Sequence, residues 1–115
     1  MDKAINLGNK ARPTMADSAE TSAALTLADD RIYNFGELES LEVNLPATTG
    51  LDFTCQVNFT SGATATEFET EDTVSFVGDD IDASGDFVPE AGKRYVLLFF
   101  SDGAGCRCVV QGVEM

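Results

Sequence analysis

The chain has 115 residues and a mass of 12.2 kDa, which suits one domain and leaves no room for a second independent core. Hydrophobic residues make up 43% of it and include eight Phe and two Tyr, enough to fill a small core. Seven basic against 20 acidic residues give a net charge of −13, and such a surface cannot gain affinity for phosphates by releasing counterions. We therefore expect a folded protein that does not bind nucleic acid.

Two further features of the sequence exclude classes of function. The chain contains no His and no Trp, so it lacks the side chain used most often for proton transfer at neutral pH and for zinc binding. No apolar run reaches the roughly 18 residues of a membrane span, and the polar start of the chain is followed by no apolar signal segment. We expect neither an enzyme nor a membrane protein.

Residues 1–24 differ from the rest and are predicted to form an extended basic arm. Within residues 1–12, three bases outnumber one acid, so this segment carries +2 whereas residues 13–115 carry −15. Pro13 interrupts any helix, and the polar stretch that follows has no sustained period. Such an arm needs a partner to hold it in place. The residues that we expect to anchor it are Ile5, Leu7, Lys10 and Arg12.

From residue 25 onward, short alternating runs predict β-strands. The clearest run is 53–60, in which every second residue is apolar. Residues 40–45 repeat this alternation and end at Pro46. Further strands are predicted at 24–27, 31–35, 64–69, 73–77, 94–100 and 106–110, the last two joined by a turn at 102–105.

These strands predict an all-β fold, an antiparallel β-sandwich or jelly roll of about eight short strands at residues 25–115, behind the N-terminal arm. No internal repeat is visible, and 115 residues hold too few units for a stable solenoid. The run 94–100 is apolar on both sides, so its strand is central or contacts another subunit. The expected subunit-contact residues are Tyr95, Leu97 and Phe99, with Val96, Leu98 and Phe100 as alternates on the other face.

The three cysteines, Cys55, Cys106 and Cys108, cannot all pair within the chain. A strand backbone resists a bridge between residues two apart, and neither spacing matches a metal motif. We expect reduced thiols in the core, with a bridge from Cys55 to one of the other two left open if their strands are neighbours. The odd count favours assembly inside a cell.

The richest polar segment is the connection 78–92. Its residues 80–86 read D-x-D-x-S-G-D, which matches the first seven positions of a calcium-binding loop. The glutamate that should close such a loop would fall on Ala91. One hypothesis is a weak calcium site, and the other is a solvated acidic loop, the commoner outcome for a polar connection. The calcium ligands would be Asp80, Asp82, Ser84 and Asp86.

A second acidic cluster comprises Glu67, Glu69, Glu71 and Asp72. On a strand, the three glutamates would share one face at intervals of about 6.5 Å. Paired carboxylates hydrolyse glycosides when an apolar pocket keeps one of them protonated, and nothing in the sequence predicts that pocket. We therefore interpret the cluster as a solvent-facing row that protects a sheet edge.

Three stretches of the chain resemble a known family. Residues 41–46 read Leu-x-Val-x-Leu-Pro, residues 59–62 read Phe-Thr-Ser-Gly, and residues 91–95 read Ala-Gly-x-x-Tyr. Across residues 28–103 this pattern of strands and turns resembles a small β-sandwich module of virion structural proteins of tailed bacteriophages. Such modules occur in capsid decorations, head fibres and tail-fibre or baseplate proteins. The resemblance implies no cofactor and no reaction.

The resemblance and the charge layout together predict a virion structural protein, a capsid-decoration or head-fibre type accessory subunit anchored by its arm. We expect it to be assembled in the host bacterial cytoplasm, to contact other virion proteins of capsid or tail, and to form a homo-oligomer, with a homotrimer favoured. The alternative is a tail-fibre or baseplate module that binds a receptor or a carbohydrate. Its candidate aromatic residues are Tyr33 and Tyr95.

Overall fold

A computed structural model describes residues 14–18, 21–45, 53–71, 73–101 and 105–115. None of these residues is helical, so none belongs to a helix that could cross a membrane. The described residues form nine strands: β1 (Thr14–Ser18), β2 (Ser22–Thr26), β3 (Arg31–Glu37), β4 (Ser40–Asn44), β5 (Phe53–Ser61), β6 (Glu67–Thr70), β7 (Val74–Gly78), β8 (Lys93–Ser101) and β9 (Cys106–Glu114).

The strands form two sheets that share one core. The larger sheet has the order β1-β3-β5-β8-β9-β7, and the smaller has the order β2-β4-β6. Buried residues of both sheets belong to a single hydrophobic cluster, so the sheets pack face to face. The predicted all-β sandwich is confirmed. The described strands number nine rather than about eight because residues 14–18, assigned to the arm, pair with β3.

The strand directions differ from the predicted antiparallel arrangement. Of the seven pairings between described strands, five are parallel, and only β5–β8 and β8–β9 are antiparallel. Four of the five parallel pairs arise because β1 to β6 alternate between the two sheets, so each lies beside the strand two places along the chain. β1 with β2, β3 with β4, and β5 with β6 thus form three successive turns of a coil, each with one strand in either sheet. The fifth pair is β7 with β9. Alternating hydrophobicity reports which face of a strand is buried and not the direction of its neighbour.

The centre of the core lies beneath β5 and β8, which pair over their full nine-residue lengths. The ring of Tyr95 stacks on Phe59 with centroids 5.4 Å apart, and Phe87 meets it edge-on at 5.1 Å. Phe87 comes from the connection between β7 and β8 and is itself buried. This connection therefore closes the core and is more than a solvated acidic loop.

The predicted boundary between residues 24 and 25 falls inside β2 and is wrong. β1 lies at the edge of the larger sheet, and β2 pairs with β4. Ala23 packs against the core cluster, which ties this part of the predicted arm to the sandwich. Residues 1–13 lie outside the described residues, and with them the predicted anchoring residues Ile5, Leu7, Lys10 and Arg12.

Candidate functional site

A buried hydroxyl fixes the connection between β7 and β8 to the sandwich. The Tyr95 hydroxyl donates a hydrogen bond to Asp80 Oδ2 at 2.6 Å and accepts one from the Glu90 backbone N–H at 2.8 Å. Lys93 Nζ lies 2.9 Å from the same Asp80 oxygen and 3.1 Å from Glu90 Oε1. Asp80 has φ 59°, a left-handed conformation that is uncommon outside glycine. Both ends of the connection are therefore held by one network.

The hydrogen bonds of this network set its charges. Burial acts to raise the pKa of Asp80, but the hydrogen bonds from Tyr95 and Lys93 outweigh it, so that the pKa is lowered. Burial, followed by the hydrogen bond to Asp80, raises the pKa of Tyr95 to about 12. Hydrogen bonds to Asp80 and Glu90 raise the pKa of Lys93. At neutral pH Asp80 is a carboxylate, Lys93 is an ammonium group and Tyr95 keeps its proton. Each of these groups has a hydrogen-bond partner, which is typical of a structural network.

The four residues of the calcium hypothesis do not converge on one point. Asp82 Oδ1 accepts hydrogen bonds from the backbone N–H groups of Ser84 and Asp86, at 2.9 and 3.0 Å, while Asp80 faces Lys93. Within the described ranges, no group of three or more acidic, cysteine or histidine side chains could hold a metal ion. Asp82 forms an Asx turn, and the order D-x-S-G-D encodes such a turn as well as it encodes a calcium loop.

The three residues predicted to contact another subunit lie in the core of this chain: Tyr95, Leu97 and Phe99. Each is 0% exposed, so the prediction is wrong. They point inward because their partners on β5 are also buried. The alternate set, Val96, Leu98 and Phe100, points to the opposite side of β8 and is less buried.

That opposite side belongs to a surface that we call the outer face, made of the fourteen outward residues of β5, β7, β8 and β9. One register row of this face holds the apolar residues Val77, Val109 and Leu98. It continues to the polar Gln56 and, beyond the outer face, to Ile32 on β3. None of the fourteen residues is acidic. Six are large and apolar: Val77, Val96, Leu98, Phe100, Val109 and Val113.

A ladder of polar side chains runs along the outer face beside this apolar row. Gln56 Nε2 donates to Asn58 Oδ1 at 2.8 Å, and Arg94 Nη2 donates to Asn34 Oδ1 at 3.1 Å. Arg94 Nη1 also bonds the Phe35 carbonyl at 2.8 Å, where the pairing of β3 and β5 shifts register. Sequence reasoning missed this ladder because it depends on the register of three strands that are distant in the chain.

The outward side of the smaller sheet is acidic. Glu42 and Glu69 are cross-strand partners, and Glu67 lies opposite Ser40. All three glutamates are exposed. Since β6 is an edge strand, the predicted solvent-facing row at a sheet edge is confirmed for Glu67 and Glu69, and its protective role stays a prediction. Asp72 lies outside the described residues.

A cleft of about 500 Å³ lies between β6, β7 and the connection that follows β7. Its apolar part is formed by Phe68, Phe76 and Phe87, whose ring centroids are 5.0 to 6.2 Å apart. A cation over an aromatic ring is attracted to its face, and carboxylates add to that attraction. The acidic residues that line the cleft are Glu69, Glu71, Asp82 and Asp86.

All three cysteines are free and buried, which confirms the prediction of reduced thiols in the core. Cys55 and Cys108 both lie opposite Phe99, one on each side of β8, so a strand separates Cys55 from the other two. A bridge from Cys55 is excluded by this separation. Burial raises the pKa of Cys55 to about 12 and raises the pKa of Cys106 and of Cys108. The thiols are therefore protonated at neutral pH and poorly nucleophilic.

The two candidate aromatic residues for carbohydrate binding do not form an exposed platform. Tyr95 is fully buried. Tyr33 is half-buried and packs against the core cluster. A flat sugar-binding surface needs aromatic faces that are open to solvent.

No known protein family, no curated protein and no solved structure matches this chain. The described residues define an all-β sandwich with one acidic face, an outer face whose fourteen residues include no carboxylate, and an acidic cleft with aromatic walls. These surfaces, together with the charge pattern of the sequence, are the features from which a function can be inferred.

Proposed function

We propose that this protein is a virion structural protein of a tailed bacteriophage, a capsid-decoration or head-fibre type accessory subunit without catalytic activity. It is assembled in the bacterial cytoplasm and is held in the particle by residues 1–12. The observation that carries this proposal is the separation of charge between that segment and the body, which agrees with the resemblance to phage modules.

The remainder of the chain, residues 13–115, exposes carboxylates, whereas most of its basic side chains are bonded within the chain. Three of its four bases are engaged within the chain: Lys93 with Asp80, Arg94 with the Phe35 carbonyl and Arg31 with the Asp29 carbonyl. Glu42 and Glu69 are exposed side by side. Free subunits therefore repel one another over most of their surface, and a segment of opposite charge can bridge them.

Residues 1–12 have the composition of such a bridging segment. They carry +2 and two apolar residues, Ile5 and Leu7. A neighbouring copy offers the cleft beside β6, whose phenylalanine rings suit apolar side chains and whose carboxylates suit Lys10 and Arg12. An acidic surface on another virion protein would serve in the same way, so the bases of this segment are its anchoring groups.

Deletion of residues 1–12 tests the anchoring role. We expect the copy number per purified particle, measured by quantitative mass spectrometry, to fall at least 10-fold. Lys3→Glu, Lys10→Glu and Arg12→Glu combined should cause the same loss, whereas the charge-conserving control Lys3→Arg, Lys10→Arg and Arg12→Lys should not. A truncated protein that is found in particles at the normal copy number would refute the proposal.

A further inference from the structure

The outer face carries most of the exposed large hydrophobic residues of the described ranges. Five such residues are exposed in those ranges, and three of them lie on this face: Val77 at 51%, Phe100 at 38% and Val113 at 65%. Leu98 and Val109 are half-buried but do not belong to the core cluster. Their remaining exposed surface faces away from the core. A contiguous apolar area of this kind marks an interaction surface.

The charge of the outer face identifies its occupant. Residues 13–115 carry −15, so two copies repel when most of their surfaces approach each other. The outer face is the exception, because its only charged side chains are Arg94 and Arg107. Arg94 is already bonded within the chain. A copy of the same face is therefore the surface that meets it with the least like-charge repulsion.

The size of the outer face is also sufficient. Its strands β5, β8, β9 and β7 have 9, 9, 9 and 5 residues, and with about 3.4 Å per residue and about 4.8 Å between strands they cover roughly 500 Å². Two such faces bury about 1,000 Å² in total, the lower bound for a specific protein interface. Sheets commonly pack face to face at this scale.

The polar ladder does not oppose such packing. The amides of Gln56 and Asn58 and the guanidinium of Arg94 are hydrogen-bonded within the chain. Covering them leaves fewer unsatisfied polar groups than covering a face whose amides rely on water.

We propose that the outer face binds a second copy of this chain in a two-fold, face-to-face dimer, with Leu98 and Val109 near its centre. The same patch contacts itself across a two-fold axis, so the assembly closes at two copies. This proposal goes beyond the virion role and is independent of it. It replaces the homotrimer expected from the sequence.

The test is the mass of the purified full chain in solution, measured by light scattering and sedimentation over a concentration series. We expect about twice the 12.2 kDa of one chain. Leu98→Glu and, separately, Val77→Glu should raise the dissociation constant at least 10-fold. Ala24→Glu adds the same charge at an exposed position of the smaller sheet and should leave the dimer intact. Circular dichroism checks that each variant is folded.

Salt separates this dimer from docking of residues 1–12. An apolar contact between two anionic bodies should tighten as salt is raised from about 0.05 M to about 0.5 M, because repulsion is screened. An ionic arm contact should weaken over the same range. A monomeric wild type, a trimer, a dimer that persists in folded Leu98→Glu, or a dimer that salt dissociates would each overturn the inference. Loss of particle binding on deletion of residues 1–12 would leave it unaffected.

Discussion

Replacing Tyr95 with Phe removes one hydroxyl from the core and keeps the ring. The ring contacts with Phe59 and Phe87 are retained, so the change isolates the hydrogen bonds to Asp80 and from the Glu90 N–H. A hydrogen bond to a charged group contributes about 1.5–3 kcal/mol and a neutral one about 1 kcal/mol. Asp80 keeps its contact with Lys93, and water can reach Glu90, which is exposed. We therefore expect Tyr95→Phe to lower the free energy of unfolding by about 2 kcal/mol.

Guanidinium unfolding followed by circular dichroism measures this loss, and the melting temperature should fall by about 5–10 °C. The matched control is Tyr33→Phe, since the Tyr33 hydroxyl bonds the Thr26 carbonyl at 3.4 Å in an exposed position. Its expected cost is under about 0.5 kcal/mol. Equal losses in the two variants would refute the role that we assign to the Tyr95 hydroxyl.

The difference in stability between the wild type and Tyr95→Phe is predicted to depend on pH. Tyrosine in the unfolded chain ionises near its ordinary pKa of 10.0, whereas the pKa of Tyr95 in the folded chain is raised to about 12. A raised pKa stabilises the fold below pH 10, and this contribution is lost as the pH rises toward 12. Tyr95→Phe lacks this contribution, so its difference from the wild type should shrink between pH 9 and pH 12. A constant difference would contradict the account.

Three further predictions concern the backbone, the core and the thiols. Gly78→Ala should destabilise by more than about 2 kcal/mol because its Cβ would overlap the Val110 carbonyl, whereas Gly85→Ala, also at positive φ but in open space, should cost about 1 kcal/mol in the same unfolding assay. Leu97→Ala should cost about 2–5 kcal/mol and Leu98→Ala under about 1 kcal/mol under conditions in which the chain is monomeric; similar values would contradict the assigned faces. A thiol reagent should modify none of the three cysteines in the native protein and all three in denaturant; rapid native labelling would refute their burial.

The sequence predicts strands well where one face is buried and the other is polar. The run 53–60 corresponds to β5 (Phe53–Ser61), and 40–45 corresponds to β4 (Ser40–Asn44). β1 was not predicted, because this five-residue edge strand is stabilised by pairing with β3 and has no alternating pattern of its own. The coil of parallel strands formed by β1 to β6 was also not predicted, because its three turns have similar geometry but no similar sequence.

The candidate surfaces were harder to predict than the strands. In β8 the apolar residues follow one another without alternating with polar ones, so the sequence does not show which of them face the core. Tyr95 is predicted at a subunit contact, but its hydroxyl donates a hydrogen bond to Asp80 inside the structure. The D-x-D-x-S-G-D spacing indicated calcium, yet Lys93 pairs with Asp80 from thirteen residues away. Contacts between distant segments decided each of these outcomes.

The virion role is the central claim, and imaging of particles tests it most directly. An antibody raised against this chain, applied to intact particles from a producing lysate and viewed by electron microscopy, should label the head surface at many positions. Unlabelled heads and tails on particles whose lysate contains the protein would contradict the account, and label confined to the tail tip would favour the receptor-binding alternative.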